Sequence, residues 1–70
     1  MQKDFARQLM AEIALLDVRL NQIAHLIEQI EDGSERKAYR RAIATVMGSV
    51  YIELMVPTLR QYPELDPDKE

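Results

Sequence analysis

Cysteine and tryptophan are absent from this chain, histidine occurs once, at His25, and glycine only twice. Without cysteine there is no disulfide framework, no thiolate zinc site and no thiol nucleophile. Two glycines, Gly33 and Gly48, cannot build a glycine-rich phosphate loop. A lone histidine leaves no Ser/His/Asp constellation to assemble. His25 is followed by Glu28, the reverse of the Glu-x-x-His order of di-iron bundles. The expectation is a non-enzymatic protein with no cofactor and no metal site. Net charge is −3 and the pI about 5.1, so the balance does not favour a protein devoted to phosphate backbones. The opening MQKDF lacks the basic and apolar pattern of a secretory signal, and a cytoplasmic location is expected.

The other shortage is length. A chain of 70 residues is one small domain, and a core of that size supplies only about 3–5 kcal/mol. With disulfides and metal excluded, association is the remaining common way to add stability.

Against these absences stands one conspicuous presence, the segment AIATVMGSVYIELMVPTL at residues 42–59, whose single charge is Glu53. A helix apolar all the way round needs apolar neighbours on every side. About 20 such residues are enough to cross a bilayer. Here, however, Thr45, Gly48, Ser49, Glu53 and Pro57 interrupt the segment, and its apolar character comes from small residues and methionines. The expectation is a packed bundle helix and no membrane span.

Leu9, Ile13, Leu16, Leu20, Ile23, Ile27 and Ile30 follow alternating steps of four and three, the seam of a heptad repeat. A first helix is therefore expected over about residues 4–31. The turn follows at 32–34, with Gly33 in a left-handed C-terminal position and Ser34 capping the next helix. A second helix follows over about 35–61, kinked or broken by Pro57. So short a turn makes the helices antiparallel neighbours, an all-α hairpin over residues 1–62. Residues 63–70 read as an acidic, proline-containing extended tail, docked only through Tyr62 and Leu65.

Apolar surface beyond the seam suggests where a partner would sit. Ala11, Ala14, Leu15 and Val18 form a second stripe on the first helix, which lies beside the second half of helix two. Ala11, Leu15, Val18, Met47, Tyr51 and Met55 are the expected oligomer or partner interface. The expected assembly is a homodimer forming a four-helix bundle, with a helical partner protein as the other occupant. The small-residue ridges Ala42, Thr45, Ser49 and Ala44, Gly48 would let helix axes approach closely. Met10, Met47 and Met55 either fill core gaps or adapt the surface to a partner.

Charge at the turn end runs against the helix dipoles. Glu28, Glu31 and Asp32 end the first helix, while Arg36, Lys37, Arg40 and Arg41 begin the second. Mutual pairing is the simplest reading. The alternative is a nucleic-acid contact through Arg36, Lys37, Arg40 and Arg41, with Tyr39 stacking on a base. Glu53 is expected at an interface edge or paired with an arginine such as Arg19. His25, opposite the seam, is expected at the surface or an interface.

Over residues 4–62 the hairpin resembles, in shape alone, two kinds of small helical protein. One is the plasmid copy-number repressor that dimerises into a four-helix bundle and binds RNA loops. The other is the co-chaperone of type III secretion that shields an aggregation-prone needle subunit. The resemblance implies a dimeric RNA-binding regulator in the first case and a small chaperone in the second, and assigns no residue a role.

Overall fold

Ala6, Ile13, Leu20 and Ile27 recur every seven residues and are the buried side chains of the first helix, α1 (Lys3–Ile27). The computed structural model describes residues 1–66, and among these there is no strand. The second rod comprises α2 (Gly33–Val50), a π-helical turn (Tyr51–Met55) and α3 (Val56–Gln61), followed by a 3-10 turn at Pro63–Leu65. The two rods form an antiparallel all-α hairpin, a body of 46 × 22 × 16 Å. Its radius of gyration is 14.8 Å, where a compact chain of this length would have about 11 Å. Two helices side by side make a rod, because neither has a layer above or below it.

The turn differs from the sequence expectation in three ways. Helix α1 stops at Ile27, four residues before Glu31, through 3-10-type bonds from Gln29 N–H to the Leu26 carbonyl (3.0 Å) and from Ile30 N–H to the Ile27 carbonyl (3.1 Å). Asp32, not Ser34, caps α2, its Oδ1 accepting from Ser34 N–H at 3.0 Å. Gly33 has no positive φ and is the first residue of α2. One cause accounts for all three. Three acids at a helix C-terminus oppose its dipole, whereas Asp32 as N-cap and Glu35 in the first turn favour the next helix. The order Asp32-Gly33-Ser34-Glu35 has the spacing of a capping box, which is the signal that locates this boundary. Arg36 completes the turn by donating from Nη1 to the Ile30 carbonyl at 2.9 Å.

Pro57 neither breaks nor ends the second rod. Val56 N–H reaches back five residues to the Tyr51 carbonyl, so the turn before Pro57 holds one residue more than an α turn. The α ladder then restarts, with Pro57 in the first turn of α3, where a missing N–H leaves no bond unmade. The buried Thr58 donates its hydroxyl to the Leu54 carbonyl at 2.8 Å, satisfying a group in the widened turn.

Past Gln61 the chain is not simply extended, since Pro63–Leu65 makes one 3-10 turn. Tyr62 and Leu65 do dock: the Tyr62 hydroxyl donates to the Met1 carbonyl, and Leu65 is half-buried against the hairpin. Lys3 and Glu64 add an ion pair of 3.0 Å at the same end. The rest of the expected tail, residues 67–70, lies outside the described residues.

Candidate interaction surfaces

Each rod has a central row and two flanks. On α1 the buried row is Ala6, Ile13, Leu20, Ile27. At 100° per residue, positions three further on lie about 60° to one side and positions four further on about 40° to the other. The plus-three flank is Leu9, Leu16, Ile23, Ile30, and the plus-four flank is Met10, Asp17, Ala24. On the second rod the central row is Arg36, Ile43, Val50, each half-buried.

The plus-four flanks meet in an open groove of about 520 Å³, lined by Met10, Ala11, Ala14 and Asp17 of α1 and by Met47, Val50, Tyr51 and Met55 of the second rod. Arg7 and Leu65 also reach its wall. Of the six expected interface residues, Ala11, Met47, Tyr51 and Met55 share this groove. Leu15 and Val18 do not, and are 63% and 56% exposed. Val18 lies instead on the outer surface of α1 with Asn21, Gln22, His25 and Leu26. The expected stripe is thus divided: Ala11 and Ala14 line the groove beside the second rod, while Leu15 and Val18 are exposed outside it.

The other side of the hairpin carries residues absent from the expected interface. Leu16 (41%), Ile23 (46%), Tyr39 (54%), Val46 (47%) and Leu54 (43%) are all exposed in the single chain. Two residues of the heptad seam, Leu16 and Ile23, are therefore exposed, while Leu9 and Ile30 in the same row are half-buried. The signal was in the seam itself: one of its two rows closes the hairpin, and the other faces outward.

At the turn end, Arg40 grips Glu28 with two bonds, Nε to Oε2 at 2.8 Å and Nη2 to Oε1 at 2.5 Å. The charge-assisted bond from Arg40 holds the Glu28 carboxyl below its ordinary range, and Glu28 in turn raises Arg40. Glu28 thus favours the folded state above the usual carboxylate range and loses that effect as pH falls through its lowered value. The midpoint of thermal unfolding should drop on acidification below about pH 4, and Glu28→Gln should reduce that drop. An unchanged acid response in Glu28→Gln would show that the pair contributes nothing measurable. With Arg36 turned to the Ile30 carbonyl and Arg40 to Glu28, only Lys37 and Arg41 of the basic cluster make no ion pair or side-chain bond among the described residues.

Glu53 is exposed, and Arg19 donates to Gln22 at 3.3 Å instead of pairing with it. A Cβ at Gly48 would meet nothing within 4 Å, and Ala42, Ala44, Thr45 and Ser49 are exposed, so Gly48 marks no close approach inside the hairpin. Among the described residues no cluster of three or more His, Asp or Glu side chains is placed to hold a metal ion.

The stretch Gly33–Gln61 is long and apolar enough to cross a bilayer by length and composition, a test that the core helix of a soluble bundle also passes. No family model, no curated protein and no solved structure matches this chain.

Proposed function

We propose that this protein is a small non-enzymatic helical module that self-associates, its working form a homodimeric four-helix bundle serving protein–protein interaction or regulation. One observation carries this reading: within the most apolar 18-residue window of the second rod, only 6% of residues are buried in the single chain. Such a surface is far larger than the scattered apolar residues of an ordinary monomer. The total accessible surface, 5597 Å², is about a quarter above the roughly 4,500 Å² expected for a compact protein of this mass. The excess is about 1,100 Å² per copy, so a dimer removing it would bury about 2,200 Å², the size of a permanent homodimer interface.

Sedimentation equilibrium from low micromolar to millimolar concentration, with helicity followed on the same dilutions, tests the reading. A dimer that loses helicity as it dissociates is the expected result. A monomer that stays fully helical throughout would overturn it, and would favour a partner protein, as for a small chaperone, or a lipid bilayer as the cover. The nucleic-acid reading is weaker, because two of its four cations are already engaged within the turn.

A further inference from the structure

Resting on that reading of self-association, we infer which face receives the second copy: Leu16, Ile23, Tyr39, Val46 and Leu54, on the side of the hairpin opposite the groove. The π turn is the device that keeps this face apolar.

Charge distinguishes the two sides of the hairpin. The groove-side flanks carry Asp17 on α1 and Arg40 on α2, with Arg7 at the wall and the chain's own Leu65 already seated. The opposite flank of α1 is Leu9, Leu16, Ile23, Ile30, with no charge over its length. On the second rod the same flank continues from Tyr39 to Val46, a step of seven. A further step of seven on an uninterrupted α-helix would place Glu53 in the row. The extra residue of the π turn makes that step eight, so Leu54 takes the position and Glu53 turns outward. The same delay explains why Met55, not Leu54, lines the groove beside Met47.

The two uncharged flanks lie on one side of the hairpin. In an antiparallel pair the plus-four flanks of both helices face the same way, as the shared groove and the Glu28–Arg40 pair show. The plus-three flanks therefore share the other side. Half-exposed apolar rows from both helices, next to a buried central row, are the surface that a four-helix core requires of each hairpin. A second copy offers the same rows, so the contact is self-complementary about a two-fold axis. Leu15 and Val18 then remain on the outside of the bundle.

Tyr39 and Tyr51 provide a test in the unaltered protein, because each is 54% exposed in the single chain and they lie on opposite flanks. At concentrations where the protein is dimeric, nitration with tetranitromethane should modify Tyr39 several-fold more slowly than Tyr51, although the two are equally exposed in the single chain. Protection of Tyr51 with no protection of Tyr39 would overturn the choice of face and leave self-association standing. A protein monomeric at every concentration would instead defeat the underlying reading. Within the π turn, Leu54→Asp should raise the dimer dissociation constant by at least about a hundredfold. Ile52→Asp, two residues away and outside the row, should change it by no more than about threefold. Equal effects of the two substitutions would count against the proposed row.

Discussion

Leu20→Ala should cost the hairpin about 2–5 kcal/mol, while Leu15→Ala should change its stability by no more than about 0.5 kcal/mol. Both residues are leucines near the middle of α1, yet Leu20 is 7% exposed in the row closed by the second rod, and Leu15 is 63% exposed. Truncating Leu20 removes buried methyl groups and leaves a cavity that a two-helix structure has no third element to fill. The loss is comparable with the entire 3–5 kcal/mol or so that a core of this size supplies. Urea titration followed by circular dichroism should show Leu20→Ala largely unfolded without denaturant at a protein concentration where the unaltered chain is folded. Similar losses in the two variants would mean that the outer face of α1 is also covered, and that the assembly is larger than one pair of hairpins.

Much of this architecture was readable because helices report themselves through periodicity. The seam from Leu9 to Ile30 gave the length of α1 to within one turn, and the short turn after it gave the antiparallel arrangement. The end of α1 was harder to place. Glu28, Gln29 and Glu31 are good helix formers, and the apolar period continues through Ile30. What overrides propensity is electrostatic: the acids suit the start of α2 better than the end of α1, and Asp32 takes the capping position.

The faces were legible only in part. The sequence showed which residues were surplus to one seam, but not which flank of the hairpin each would occupy. That depends on how two helices meet, and here it also depends on one turn. Residues 51–55 are ordinary helix formers in composition, and no glycine or positive φ marks the change. The visible trace is the step of eight from Val46 to Leu54, with a glutamate at the position that a step of seven would give. Pro57 supplies the physical reason: in an unbroken α ladder its ring would crowd the carbonyl of Glu53.

Deletion makes that turn measurable. Removing Glu53 together with Pro57→Ala should leave a fully helical, cooperatively unfolding protein, whereas removing Ala44 from α2 should abolish cooperative unfolding. On a regular helix one residue fewer rotates everything downstream by about 100°. Loss of Ala44 would swing Met47, Val50 and Met55 away from α1, and their summed burial exceeds what a small hairpin can forgo. The π turn already holds one residue beyond the α count, so loss of Glu53 converts it to an α turn and leaves Leu54, Met55 and Thr58 on their present faces. Pro57→Ala accompanies the deletion because a straight α ladder would set the proline ring against the Ile52 carbonyl, at about 3 kcal/mol. Circular dichroism in urea separates the outcomes. Equal damage from the two deletions would show that the π turn does not hold a spare residue, and that Leu54 does not replace Glu53 in the row proposed to face a second copy.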